Sequence, residues 1–206
     1  MSVLRILLAD DHAVVRIGLA SLLESESDMS VVGQARNGEE AVRLAHKLKP
    51  DIVIMDLMMP KMNGAAATAK IIGELPDIKV IVLTSYGASD DVAHALDAGA
   101  SGAIMKTAED AKLVNAIRKV ASGGRVISAE IRQLLAEDPP VPELTPRQQE
   151  ILSSITRGLT NRDIATELSI RHDGVDRHVN TILSKIGAAN RAEAVAIALR
   201  KHLLKI

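Results

Sequence analysis

The sequence has 206 residues, and 47% of them are hydrophobic, which is enough for a buried core and excludes a fully disordered chain. It contains no cysteine, which excludes disulfides, thiol catalysis and cysteine-ligated metal sites. The formal net charge is −1, but residues 142–206 contain ten basic and seven acidic side chains, which modestly favours a polyanionic partner for that segment.

The first part of the chain alternates short apolar runs with helical patterns. The candidate strands are LRILLAD (4–10), MSVVGQA (29–35), DIVIMD (51–56), KVIVLT (79–84) and GAIMK (102–106). The candidate helices are 12–25, 38–48, 64–75, 90–98 and 109–121. Runs that are apolar on both faces suit a parallel sheet covered by helices on both sides. The pattern therefore predicts an α/β fold, a doubly wound five-stranded parallel sheet.

The apolar run at the N-terminus ends in two acids, so it reads neither as a signal peptide nor as a membrane span. We expect a cytoplasmic protein without a membrane partner.

A break in the pattern follows Gly123 and Gly124. A short amphipathic piece, SAEIRQLLAE, leads into EDPPVPELTP, which holds four of the seven prolines and predicts a semi-rigid linker. From Thr145 onward the pattern is only helical: TPRQQEILSSITRG, TNRDIATELS, a helix around 173–186, and RAEAVAIALRKHL. Thr145, with Gln148 three residues later, predicts a capped helix start. The predicted organisation is an α/β domain (1–124), a linker with a short helix (125–142) and an all-α domain (143–206).

Polar residues stand at the carboxyl ends of four predicted strands. They are Asp10 and Asp11, Asp56, Thr84, and Lys106. In doubly wound folds these ends form the ligand-binding edge. Each residue alone also fits an ordinary role, such as a helix cap or a solvated strand end, but their joint placement favours a common site.

That site predicts phosphoryl chemistry. Three neighbouring carboxylates repel each other unless a cation joins them, and Mg²⁺ is the natural choice. Asp56 is then placed to attack a phosphoryl donor, with Lys106 offsetting the charge and Thr84 donating to the new phosphoryl oxygens. The expected product is an aspartyl phosphate.

Two sets of motifs resemble a known family. DDHAVVRIGL, DIVIMDLMMPKMNG, VIVLTSY and AGASGAIMK resemble the receiver domain of bacterial two-component response regulators. LTPRQQEILSSITRGLTNRDIATELSI resembles the LuxR-type helix-turn-helix of the NarL/FixJ subfamily. The resemblance implies a transcription regulator that is not an enzyme, is phosphorylated by a sensor histidine kinase and forms a homodimer when phosphorylated. It assigns phosphorylation to Asp56, metal binding to Asp10, Asp11, Asp56 and the Met58 carbonyl, and phosphate contacts to Thr84 and Lys106.

Two positions depart from the receiver pattern. Ala103 stands where receivers usually have an aromatic residue, and Thr107 replaces the usual proline after Lys106. The single aromatic residue, Tyr86, either substitutes for the missing ring or lines the mouth of the site. We expect phosphorylation to survive both changes and the signalling route to differ.

The helix around 173–186 is predicted to read DNA, with Val175, Val179, Ile182 and Ile186 facing the core. The predicted DNA-binding residues are Thr160, Asn161, Arg171, Arg177, His178, Asn180 and Lys185. The amphipathic pattern by itself fits simple packing equally well, as does the apolar face of RAEAVAIALRKHL, whose alternative role is a dimer contact.

Asp176 occupies a position where the family commonly has a DNA-contacting lysine. One interpretation is weaker binding, because the charge is reversed near phosphates. Another is that Asp173 caps the helix and delays its start by about two residues, leaving Arg171 and His172 in the turn. A third is that Asp176 accepts from a cytosine amino group. We expect weakened or altered DNA binding in preference to complete loss.

Three other functions compete with a phosphorylation-controlled transcription factor. A haloacid-dehalogenase-like phosphatase needs Asp-x-Asp after the first strand, and ADDHAV lacks it. A flavodoxin needs a Ser/Thr-rich phosphate loop and aromatic residues, which are also missing. A receiver-based interaction module that has weakened or lost DNA binding through Asp176 stays open at this point.

Overall fold

The computed structural model of the chain describes residues 3–85, 89–140, 144–201 and 203–204. They form two compact units, which divide between Pro139 and Pro140. Tyr86, considered above as a substitute aromatic, lies outside the described residues.

The described residues of the first unit form six strands and six helices. The strands are β1 (Leu4–Ala9), β2 (Met29–Ala35), β3 (Ile52–Asp56), β4 (Lys79–Thr84), β5 (Gly102–Met105) and β6 (Val126–Ile127). The helices are α1 (Ala13–Glu24), α2 (Gly38–Leu48), α3 (Gly64–Glu74), α4 (Ser89–Asp97), α5 (Asp110–Ala121) and α6 (Ala129–Glu137).

All strand pairs are parallel, in the order β2-β1-β3-β4-β5-β6, so the predicted doubly wound fold is confirmed. Alternate strand residues enter opposite cores. On β1, Leu7 packs with buried residues of α2, α3 and α4, whereas Ile6 packs with those of α1 and α5. This two-sided burial explains why the strands are apolar at nearly every position.

The sheet has six strands where the sequence predicted five. Val126 and Ile127 pair with Gly102 and Ala103 of β5. A two-residue strand is too short to show a periodic pattern, and the preceding glycines read as a break. Gly102 permits the pairing to be close, because an added Cβ would lie 3.3 Å from the Val126 carbonyl oxygen and equally close to Ile81.

Helix α6 packs against the core of the first unit, whereas the sequence predicted that residues 125–142 form a linker with a short helix. Ile131 is fully buried in the core that α2, α3 and α4 share. Ser89 Oγ, at the start of α4, donates to Asp138 Oδ2 at 2.6 Å, beyond the last residue of α6. The apolar face of SAEIRQLLAE is therefore a packing surface of the α/β unit.

The second unit is a four-helix domain. Its helices are α7 (Pro146–Thr156), α8 (Asn161–Glu167), α9 (His172–Ile186) and α10 (Arg191–Arg200). The predicted helix start at Thr145 is confirmed, because Thr145 and Gln148 form a reciprocal capping box. Among the described residues, no helix has the length and apolar content needed to cross a bilayer.

The predicted cap of α9 is wrong. The helix begins at His172 with Arg171 at the N-cap position, so Asp173 lies inside the first turn. Ser169 adopts a left-handed conformation, φ 52°, and completes the turn after α8 before Asp173 is reached. His172 is therefore helical, and only Arg171 stays in the turn.

The packing of α6 yields a stability prediction. Ile131→Ala should lower the free energy of unfolding by about 2–4 kcal/mol, because it leaves a cavity in a shared core. The matched control is Gln133→Ala, on the exposed face of the same helix, which should change it by less than about 0.5 kcal/mol. Urea unfolding of both variants tests this, and equal effects would show that α6 does not contribute to the core.

Candidate functional site

The strand ends bring Asp10, Asp56 and Lys106 together at one edge of the sheet. In the register of β1 and β3, Ala9 lies beside Met55, so the next residues, Asp10 and Asp56, lie side by side at the carboxyl ends of the two strands. Both carboxylates are almost fully buried, each with 2% exposure. Lys106 Nζ lies 2.8 Å from Asp10 Oδ2 and 2.8 Å from Asp56 Oδ2, so one ammonium joins two acids.

Backbone groups orient the two carboxylates. The N–H of His12 donates to Asp10 Oδ1 at 2.8 Å, and the N–H of Met58 donates to Asp56 Oδ1 at 3.2 Å. Gly64 is required at the start of α3, because a Cβ there would lie 2.0 Å from the Asp56 carbonyl oxygen. The other oxygens, Asp10 Oδ2 and Asp56 Oδ2, are buried, and Lys106 is their only partner among the described residues.

The same edge offers a group of metal-binding atoms. Ligand atoms of Asp10, Asp11, His12 and Asp56 lie within 4.8 Å of one another. The sequence prediction missed His12, whose Nδ1 lies 2.7 Å from Asp11 Oδ1; its position directly after the acid pair was the available signal. Three carboxylates are hard oxygen donors and suit a divalent cation such as Mg²⁺. The buried oxygens Asp10 Oδ2 and Asp56 Oδ2, which share the single Lys106 ammonium, keep lone pairs that fit that assignment.

Burial and neighbouring charges shift the pKa values of Asp56 and Lys106. Burial raises the pKa of Asp56, and the hydrogen bond and charge of Lys106 oppose this rise only in part, with the Asp10 charge adding to it. Burial also works to lower the pKa of Lys106, but its hydrogen bonds to Asp10 and Asp56 outweigh burial and raise that pKa overall. Lys106 is thus a fixed positive charge beside a carboxylate that is costly to ionise.

Thr84 ends β4 with no exposed surface, and its hydroxyl donates to the Ser85 carbonyl at 2.9 Å. Met58 is 47% exposed beside the acids, and its N–H is already used by Asp56. The edge thus contains all six residues predicted for phosphorylation, phosphate and metal binding.

In the second unit, the predicted DNA-binding residues divide into exposed and internally bonded side chains. Arg171, Arg177 and Asn180 are exposed, and His178 is half-buried. Lys185 Nζ, by contrast, donates to Gln148 Oε1 at 3.1 Å, in the capping box of α7. Thr160 caps α8, and its hydroxyl donates to Asp163 Oδ2 at 2.6 Å.

Asn161 takes part in a polar chain across three helices. Its Nδ2 donates to Asp176 Oδ1 at 2.7 Å, and its Oδ1 accepts from Arg191 Nη1 at 3.0 Å. The other carboxylate oxygen, Asp176 Oδ2, lies 3.2 Å from His172 Nδ1. The sequence prediction treated Asn161 and Asp176 separately and did not consider Arg191, since contacts between helices leave no signal at fixed spacing.

Comparison with known proteins gives two family matches. Residues 6–118 match the response regulator receiver domain, and residues 142–198 match the bacterial regulatory proteins of the luxR family. The response regulator VraR of Staphylococcus saprophyticus is 39% identical, over 98% of this chain and 99% of its own. The transcriptional regulatory protein LiaR of Bacillus subtilis is 41% identical, over the same shares of the two chains. Among solved structures, the response regulator ChrA of a heme-sensing two-component system is 32% identical, with a TM-score of 0.60, over 99% of this chain and 100% of that one.

The raised pKa of Asp56 yields a pH-dependent stability prediction. A carboxyl whose pKa is higher in the folded protein stabilises it at low pH, and this contribution is lost as the pH rises from 3.8 through the folded pKa. In metal-free buffer, Asp56→Asn should therefore raise the melting temperature near neutral pH, on the order of 3 °C. The difference should shrink on acidification. Thermal unfolding over a pH series measures this difference in melting temperature, with the exposed Asp77→Asn as control. A difference that grows toward acid pH would contradict a raised pKa of Asp56.

Proposed function

Because the chain belongs to the bacterial response regulators that combine a receiver domain with a luxR-family domain, we propose that phosphorylation of Asp56 controls its action on transcription. The observation that carries the proposal is the half-buried Lys106 ammonium, which lies 2.8 Å from both Asp10 and Asp56. This arrangement holds a positive charge where phosphoryl oxygens would arrive. Asp56 itself ends β3 at the carboxyl edge of the sheet.

In the proposed reaction, a carboxylate oxygen of Asp56 forms a bond to phosphorus while the bond from phosphorus to the donor breaks. Lys106 exchanges its contact with Asp56 for one with a phosphoryl oxygen. Thr84 exchanges its bond to the Ser85 carbonyl for a bond to another phosphoryl oxygen. Asp10, Asp11, Asp56 and the Met58 carbonyl would hold Mg²⁺, which when bound neutralises charge on the acids and on the phosphoryl group.

The donor is proposed to be a phosphohistidine of a sensor kinase in the cytoplasm, as the receiver family implies. The chain turns over no other substrate in this proposal, because the phosphoryl group stays on its own aspartate until water removes it.

The output is proposed to be DNA binding through α9, in a homodimer formed on phosphorylation. Arg177 and Asn180 lie on the exposed side of this helix, opposite the buried Val175, Val179 and Ile182, and Arg171 is exposed at its N-cap. The interaction module without DNA binding is not favoured, because the relatives include a transcriptional regulatory protein at 41% identity over nearly the whole chain.

Phosphorylation has a direct test in intact mass. Incubation of the protein with acetyl phosphate and Mg²⁺ should add the mass of one phosphoryl group, and Asp56→Asn should abolish the addition. Lys106→Met should slow the addition by about tenfold to a hundredfold, because one stabilising charge is lost. Exposed Lys70→Met is the matched control and should react at the wild-type rate. An adduct that persists in Asp56→Asn would overturn the assignment of the phosphorylated residue.

DNA binding has a test in Arg177, which is exposed and has no side-chain hydrogen bond or ion pair to another described residue. After a preferred sequence is selected from random DNA, Arg177→Ala should weaken binding by about tenfold. Arg200→Ala removes the same charge from the end of α10 and should change binding by less than about threefold. Fluorescence anisotropy at several salt concentrations measures the DNA affinity of both variants. Equal losses of affinity would mean that only the net charge of the domain matters.

A further inference from the structure

The polar chain of Asp176, Asn161 and Arg191, here called the Asn161 relay, joins α9, α8 and α10. Arg191 also donates to the Leu159 carbonyl, in the turn before α8, so its guanidinium is held at two points. All three relay residues are partly buried. The relay therefore connects the first turn of α8 to the beginning of α9, the helix proposed to enter the DNA groove.

The charges at the two ends fix the orientation of the Asn161 amide. A guanidinium has only donors, so the Asn161 oxygen must face Arg191, and its NH₂ group is left for an acceptor. Asp176 supplies that acceptor at 2.7 Å. A lysine at position 176 would place donors against the NH₂ group. Rotating the amide would only move the conflict to Arg191.

Both oxygens of Asp176 contact other groups of the second unit, Oδ1 with Asn161 and Oδ2 with His172. We infer that Asp176 is a positioning residue that fixes the start of α9 against α8 and so sets which base sequence the helix reads. The inference rests on the proposed function, because it concerns how DNA is selected. It replaces the expectation that Asp176 either repels phosphates or contacts a cytosine.

Asp173 provides a matched comparison on the same helix. It lies in the first turn of α9 and is exposed, and its carboxylate has no hydrogen bond or ion pair to another described residue. Asp173→Lys and Asp176→Lys change the net charge equally, near the same end of the helix. If the acids at this end of the helix act only through their charge, both variants should bind DNA more tightly than the wild type. Their affinity should also fall more steeply with salt concentration.

The experiment selects sequences from random DNA with the full-length protein and its Asp173→Lys, Asp176→Lys and Asp176→Asn variants. Asp173→Lys should bind the wild-type sequence more tightly. Asp176→Lys should bind that sequence about tenfold more weakly, or select a different one, despite its added positive charge. Asp176→Asn keeps an acceptor oxygen for Asn161, so it should select the wild-type sequence.

A measurement without DNA separates the relay from the proposed function. The side-chain NH₂ signals of Asn161 in an NMR spectrum of the free protein should shift in Asp176→Lys and stay near their wild-type positions in Asp173→Lys. If wild type binds no DNA while these signals respond as expected, the proposed output fails and the relay stands. Unchanged Asn161 signals in Asp176→Lys, or tighter binding of the wild-type sequence by that variant, would overturn the inference.

Discussion

The bridge from the Lys106 ammonium to Asp10 and Asp56 is the interaction on which the first unit's chemistry depends. Two carboxylates with 2% exposure each would repel strongly without a cation between them. The parallel register of β1 and β3 places them side by side, and β5 brings Lys106 to the same edge. Burial of the two acids costs stability through desolvation, so their presence is better explained by a function than by folding. A charge that holds the acids before phosphorylation is already in place for the phosphoryl group afterwards.

The edge of the sheet could be predicted from the sequence because it follows from topology. Once the strands are recognised as parallel and doubly wound, their carboxyl ends must meet, and Asp10, Asp56 and Lys106 converge although they are far apart in the chain. Strand periodicity was sufficient for the five long strands. It was not sufficient for Val126 and Ile127, since two residues show no period, nor for α6, whose apolar face gives no indication of which surface covers it.

Ala103 illustrates how a departure from the family pattern is accommodated. The alanine is fully buried in the core that contains Ile131, and its carbonyl accepts from the N–H of Ser128, the residue that caps α6. Ala103 and Ile131 belong to the same buried cluster, so the position without an aromatic ring lies in the region where α6 packs. At the far end of α6, the bond from Ser89 to Asp138 ties the helix to the start of α4, which follows Thr84 in the chain.

The acids of α9 show why local reasoning reached the wrong cap. Asp173 has the residue type and the position of a good N-cap, but Ser169 in its left-handed conformation ends the turn earlier, and α9 starts before Asp173. The sequence predicted only DNA contacts for Asp176, repulsion of phosphates or a bond to cytosine, because its partner Asn161 lies 15 residues away on α8 and is joined in turn to α10. The charge of an acid on a helix proposed to enter the DNA groove disfavours nearby phosphates whichever way its oxygens point, so a compensating role for the acid is expected. Here both carboxylate oxygens of Asp176 contact groups of the same domain, so Asp176 holds α9 in position against α8. A lysine at position 176 would lose the bond to Asn161 before its ammonium could reach a phosphate.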